Sequence, residues 1–194
     1  MMEQVLTGRR VSFRMKVTVK ALVAMGIVAL AVGLPQLAHM AAGAQAGVRW
    51  LPMYLPVLLG GCLLGAGWGV GVGLAAPLCS FLLTSLAGQA MPAAARLPFM
   101  MAELAVFALV TGAFSRRIAG NPLWAFPAVL LAQLSGRGLF LLLAALLQKV
   151  TPFTPAVIWS QICQGWPGLV LQLLAVPCMV WGLRYFLMRD GRHD

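Results

Sequence analysis

Residues 51–86 read LPMYLPVLLGGCLLGAGWGVGVGLAAPLCSFLLTSL and contain no charged side chain. A membrane-spanning helix needs about 20 mostly apolar residues, so this stretch is long enough for two spans. Glycines interrupt it between Gly65 and Gly69, where the sequence is Gly-Ala-Gly-Trp-Gly. We therefore predict two spanning helices, 51–66 and 68–86, joined by a tight hairpin.

Small residues recur every fourth position through this hairpin, at Gly61, Gly65, Gly69 and Gly73. In a membrane, small residues at this spacing let helix backbones approach closely. The glycines match neither a dinucleotide-binding fingerprint nor a P-loop, because no G-x-G-x-x-G register fits and no G-K-[ST] follows. We expect them to pack the second and third spans together.

Further apolar runs of spanning length occur on both sides of this hairpin. The sequence thus predicts an all-α polytopic membrane protein with six transmembrane helices, and a single membrane domain over 1–194. Residues 1–16 form a basic N-terminal flank and 188–194 a tail. The other four predicted spans are 17–34, 97–114, 123–147 and 164–187.

The composition excludes most other classes of protein. The 194 residues are 61% hydrophobic and 9% charged, against about 45–50% and about 25% in soluble domains. The net charge of +10 does not indicate nucleic-acid binding, because no basic segment is long enough to follow a phosphate backbone. We expect the lipid bilayer to be a partner and nucleic acid not to be one.

The basic residues instead predict how the chain is oriented. With six spans, ten of them fall on one side and three on the other, and the positive-inside rule makes the richer side cytoplasmic. Both termini are then cytoplasmic, and the outer connections 35–50, 87–96 and 148–163 are long. The first set is Arg9, Arg10, Arg14, Lys16, Lys20, Arg116, Arg117, Arg184, Arg189 and Arg192, and the second is Arg49, Arg96 and Lys149.

The first span has an alternative interpretation as a signal peptide. Basic residues precede the apolar stretch 21–34, and the segment 42–46 reads Ala-Gly-Ala-Gln-Ala, which offers an A-x-A cleavage site. Cleavage there would leave five spans.

Nothing in the sequence predicts catalysis, a cofactor or a metal site. The two histidines fall in a predicted loop and in the tail, and no Ser/His/Asp set or HExxH occurs. The spacing of the cysteines is not that of a metal site, so we expect small buried thiols. The cysteines are Cys62, Cys79, Cys163 and Cys178.

Two charged residues, Glu103 and Arg137, fall well inside predicted spans. At a rise of 1.5 Å per residue, Glu103 lies about 9 Å and Arg137 about 15 Å below the outer edge, so their side chains can meet. Intramembrane charges are costly and normally face the bundle interior or a cavity. They could contact a ligand, or they could form only a structural ion pair that joins the fourth and fifth spans.

Other polar and aromatic side chains fall at similar depths. Gln133 precedes Arg137 by one helical turn, and Phe99 precedes Glu103 by the same spacing. Gln172 lies at a comparable level of the sixth span, with Tyr54 and Trp166 nearer the surface. Together they predict an outward-opening polar pocket with aromatic walls, suited to a small, partly flat molecule.

Several stretches resemble the substrate-binding S components of energy-coupling factor (ECF) vitamin transporters. The resemblance covers residues from about 17 to 187. The order of the motifs, the length of the chain and the six-span topology all agree with that family. The stretches that carry it are Met53–Gly61 (MYLPVLLGG), the glycine-rich hairpin, Leu97–Leu104 (LPFMMAEL), Ser135-Gly136-Arg137 and Gly165–Gln172 (GWPGLVLQ).

The resemblance implies high-affinity uptake of one vitamin-like micronutrient across a prokaryotic plasma membrane. Contacts in such proteins come from the first loop, helix 4, the fifth loop and helix 6. On this chain those elements hold Gln36, Trp50, Phe99, Glu103, Trp159, Trp166 and Gln172.

The resemblance also implies partners, a transmembrane coupling protein and two ATPases, so the chain itself would be no enzyme. Such proteins dock through small residues of helix 1, here Ala21, Ala24, Ala29 and Gly33. The alternative functions are a stand-alone secondary transporter, proton-coupled through Glu103 or acting as a dimer, and a membrane enzyme.

Overall fold

The computed structural model describes residues 13–43, 49–88, 91–149 and 151–190, and it contains helices and turns but no strand within these ranges. The basic residues Arg9, Arg10 and Arg192 and the possible cleavage site at 44–46 lie outside the described residues. Two short 3₁₀ turns, Ala94–Arg96 and Pro122–Trp124, precede α4 and α6. The helices are α1 Phe13–Ala42, α2 Tyr54–Leu64, α3 Ala66–Leu86, α4 Leu97–Ala113, α5 Ser115–Gly120, α6 Ala125–Leu147, α7 Pro155–Gln164 and α8 Trp166–Asp190.

Among the residues that the structure describes, five helices are long and apolar enough to cross a membrane: α1, α3, α4 with the turn before it, α6 and α8. The second predicted span, 51–66, is shorter than expected, because α2 begins only at Tyr54 and holds 11 residues. This length corresponds to about 16 Å, roughly half the thickness of the hydrocarbon core. Leu51, with a φ of 49°, and the turn at Pro52 delay the start of the helix.

Two of the predicted outer loops are partly helical. The segment 35–50 was expected to be a loop, but α1 continues through Pro35 to Ala42. The segment 148–163 contains most of α7, which Thr154 caps by accepting a hydrogen bond from the Val157 N–H at 3.4 Å. Pro155 occupies the first turn of α7, where its missing N–H removes no helical bond.

The glycine-rich hairpin forms as expected, with Gly65 alone linking α2 to α3 at a φ of 86°. Close approach of backbones explains the other glycines. A Cβ on Gly69 would lie 2.9 Å from Gly61 Cα, and one on Gly73 would lie 2.6 Å from the Leu104 carbonyl oxygen of α4. The glycines therefore pack α3 against α4 as well as against α2.

The outward faces of the long helices are apolar. Leucines repeat one turn apart on α3, α6 and α8, and each is at least 39% exposed. Exposed apolar surface of this extent fits contact with lipid rather than water. The leucines are Leu74, Leu78 and Leu82 in α3, Leu130 and Leu134 in α6, and Leu174 in α8, where Val170 lies one turn before it.

Helix α1 lies at the edge of the bundle. Its buried side chains Ile27 and Ala31 join the core, and Ile27 contacts Gly60 of α2. Of the four small residues predicted to dock a partner, Ala24 packs against the core, whereas Ala29 is exposed and Gly33 has open space around it. Ala21 is half-buried.

We expect Gly73→Leu to lower the apparent melting temperature of the purified protein, because the new side chain collides with the α4 backbone and overpacking costs about 1–3 kcal/mol. Gly71→Leu is the matched control, since nothing lies within 4 Å of a Cβ there. Thermal unfolding followed by tryptophan fluorescence in detergent measures both variants. Equal melting temperatures for the two variants would contradict the packing of α3 on α4.

Candidate functional site

A cavity of about 340 Å³ opens above the start of α2. It exists because α2 starts at Tyr54, while α1 and α3 continue past that level on either side. The turn Leu51–Met53 and the segment 91–96 complete its walls. The lining residues are Pro35, Gln36, His39, Leu51, Pro52, Met53, Tyr54, Ser80, Met91, Pro92, Ala93, Arg96, Met100 and Phe153.

Hydrogen bonds hold the wall formed by the segment after α3. Ser80 Oγ donates to the Met91 carbonyl oxygen at 3.0 Å, and the Met91 N–H donates to Thr84 Oγ1 at 2.8 Å. Ser80 and Thr84 lie one helical turn apart on α3 and therefore share a face. The chain is thus fastened to α3 before it enters α4, and this brings Ala93 and Arg96 to the cavity.

A buried polar cluster, Tyr54–Glu103–Arg137, lies at the base of the cavity. Tyr54 lines the cavity, and its hydroxyl donates to Glu103 Oε2 at 2.6 Å. Glu103 Oε1 lies 2.9 Å from Arg137 Nη1, and the two side chains are 0% and 9% exposed. The Arg137 guanidinium carbon lies 4.9 Å from the centroid of the Tyr54 ring. The cluster joins α2, α4 and α6.

A second polar set joins α6 and α8 to the turn before α2. Gln133 Nε2 donates to the Leu169 carbonyl oxygen at 3.0 Å and approaches Gln172 Oε1 at 3.4 Å. Gln172 Nε2 donates to the Leu51 carbonyl oxygen at 3.2 Å. Gly168 makes this contact possible, because a Cβ there would lie 2.7 Å from the Trp50 carbonyl carbon.

The structure brings most of the predicted polar residues together but divides them between two levels. Gln36 and Tyr54 line the cavity. Four of the predicted residues are buried beneath it or beside it, and they form hydrogen bonds or an ion pair within the protein: Glu103, Arg137, Gln133 and Gln172.

Most residues of the predicted aromatic wall do not line the cavity. Phe99 is 4% exposed and packs with Phe140 and Phe153 in a separate core cluster. The three tryptophans expected at the site do not line the cavity. Trp50, Trp159 and Trp166 are between 42% and 63% exposed, which suits side chains at a membrane interface.

Of the fourteen lining residues, reasoning from the sequence named only Gln36 and Tyr54 and missed the other twelve, among them His39, Arg96 and Phe153. Arg96 falls in a predicted loop, and it was counted there only as one of the basic residues that predict the orientation of the chain in the membrane. Its guanidinium carbon lies 5.8 Å from the centroid of the Phe140 ring. The one feature of the sequence that indicates a place for Arg96 near the site is its position immediately before Leu97, the first residue of α4.

The cavity has the composition of a small-molecule site. Its walls are mainly apolar, with a few polar groups, as in small-molecule sites generally. Within the described ranges, no group of three His, Cys, Asp or Glu side chains could hold a metal ion.

Cys62 is buried, whereas Cys163 and Cys178 are exposed rather than buried as expected.

Comparison with known protein families, curated protein sequences and solved structures gives no match. The support for a function therefore comes from the site and from the motifs of the sequence.

We expect Arg137→Leu to destabilise the protein by about 3–5 kcal/mol, because it leaves the Glu103 carboxylate buried without its cation. Glu103→Leu leaves Arg137 unpaired and should have a similar effect. The double variant should recover much of this loss, since no unpaired charge remains. Thermal unfolding in detergent measures all three variants, with the exposed Arg116→Leu as the control. Additive losses in the double variant would contradict the ion pair.

Proposed function

We propose that the chain is the substrate-binding S component of an ECF-type transporter, which captures a vitamin or similar micronutrient. The cavity above Tyr54 is the observation that carries this proposal. Its volume of about 340 Å³ suits one small organic molecule. It opens at the end of the bundle where α1, α3 and α6 terminate, the end that the basic residues assign to the outside.

The proposed topology has six crossings with both termini in the cytoplasm. Here α2 is the short crossing, and the surrounding helices shelter it from lipid, since most of its residues are buried. Backbone at membrane depth that is surrounded by protein does not need a full spanning length.

The proposed energy source is a pair of partner ATPases, because the sequence contains no P-loop of its own. A transmembrane coupling protein would dock on the outward face of α1, where Ala29 is exposed and Gly33 is open. Small residues in a membrane helix permit such close approach. The proposed location is the plasma membrane of a prokaryotic cell.

Topology can be tested with reporters fused to either end of the full chain. Six crossings predict that green fluorescent protein fluoresces at both the N and the C terminus, and that alkaline phosphatase is inactive at both. If α2 does not cross, the two ends lie on opposite sides and the reporters disagree. A phosphatase fused after Lys149, between α6 and α7, should be active and serves as the control.

Uptake can be tested in cells that lack vitamin transport. We expect accumulation of a radiolabelled vitamin only when the chain is expressed together with an ECF coupling protein and its ATPases. An ATPase variant without its Walker lysine should abolish uptake. Uptake by the chain alone, driven by a proton gradient, would instead establish the secondary transporter, for which Glu103 is the buried carboxylate available.

A variant that fills the cavity connects uptake to the site. Ala93 lines the cavity, whereas its neighbour Ala94 does not. Ala93→Trp should therefore reduce binding and uptake by at least about tenfold, as loss of a well-filled pocket would, and Ala94→Trp should leave both unchanged. Equal uptake by the two variants would show that the cavity is not the binding site.

A further inference from the structure

We infer that the cavity takes a monoanionic ligand with a largely apolar body, and that Arg96 binds its acidic group. This inference rests on the proposed function, since it names the chemical class of the solute. It places the cation that meets the ligand at Arg96, whereas the sequence pointed to Arg137 as a possible ligand contact.

Arg137 is already engaged. Its guanidinium pairs with Glu103 at 2.9 Å and lies against the Tyr54 ring, and it is not among the lining residues. A ligand acid that reached Arg137 would have to separate it from Glu103 in a buried, low-dielectric position. Leaving the Glu103 carboxylate there without a cation is costly.

Arg96 is the charged side chain that lines the cavity. It is half-buried, and within the described ranges it forms no ion pair. The nearby carboxylate, Glu103, is paired with Arg137, so the cation of Arg96 is not neutralised locally. Helices α2 and α4 both begin beside the cavity, and their N-termini add partial positive charge.

The other lining groups limit the rest of the ligand. Tyr54 and Ser80 use their hydroxyl hydrogens within the protein. Gln36 and His39 remain as polar lining side chains. The remaining surface comes from proline, leucine, methionine, alanine and phenylalanine side chains. One cation in such surroundings matches one acidic group on a largely apolar molecule, because a second anionic group would be desolvated without a partner.

The test uses two probes of the same shape, 2-naphthylacetate and its neutral amide, 2-naphthylacetamide. Binding to the full chain in phosphatidylcholine nanodiscs is measured by isothermal titration calorimetry, with empty nanodiscs subtracted. We expect the acid to bind at least about tenfold more tightly than the amide, as for a charge-assisted hydrogen bond in a partly dry site.

Arg96→Gln should weaken binding of the acid by about 10- to 100-fold and change binding of the amide by less than about twofold. Arg96→Lys should retain part of the preference for the acid. Arg49→Gln is the matched control, because Arg49 is also an arginine on the predicted outer side but is exposed and does not line the cavity. If Arg96→Gln fails to fold, the comparison of the two probes on the unmodified chain still decides the question.

Equal affinity for the acid and the amide, no saturable binding of either, or undiminished acid binding by Arg96→Gln would each overturn the inference. The proposed function is tested separately by ATPase-dependent uptake. Uptake without a preference for the acid would refute only the anionic ligand. A preference for the acid without ATPase-dependent uptake would refute the S-component function and leave Arg96 as the anion-binding residue.

Discussion

The ion pair between Glu103 and Arg137 is the constraint on which the site depends. A carboxylate and a guanidinium buried among apolar helices must stay together, because each would be costly alone. Their contact sets the relative positions of α4 and α6. The Tyr54 hydroxyl completes it through Glu103, so the first residue of α2 is held at the base of the cavity. An interaction that joins the helices thus also positions a wall of the cavity.

The cavity itself follows from the short α2. The glycines let α3 approach both α2 and α4 closely, which places an 11-residue helix at the centre of the bundle. The long helices around it extend further outward and leave a space above its start. Hydrogen bonds between Met91 and the hydroxyls of Ser80 and Thr84 then fix the segment that forms the opposite wall. The close packing of α3 on α2 and α4 therefore leads to the cavity above the start of α2.

Residues that are costly to bury could be placed more accurately from the sequence than residues chosen for their chemical type. Glu103 and Arg137 stood out because charges inside a span require partners, and the structure pairs them. Trp50 and Trp159 were assigned to the site by resemblance and Trp166 also by its depth, but an indole is equally favourable at a membrane interface, and all three side chains are exposed. Arg96 was missed because a basic residue in a loop is indistinguishable in sequence from one that only orients the chain.

The sequence alone determined that the described chain is all-helical, with several apolar helices of spanning length and a tight glycine-rich hairpin. These properties are local, since they depend on runs of apolar residues and on the conformational freedom of Gly65. Only the tertiary structure decided that α2 starts late and that Arg96, rather than Arg137, faces the cavity. Those outcomes depend on contacts between residues distant in sequence, and helical periodicity carries no information about them.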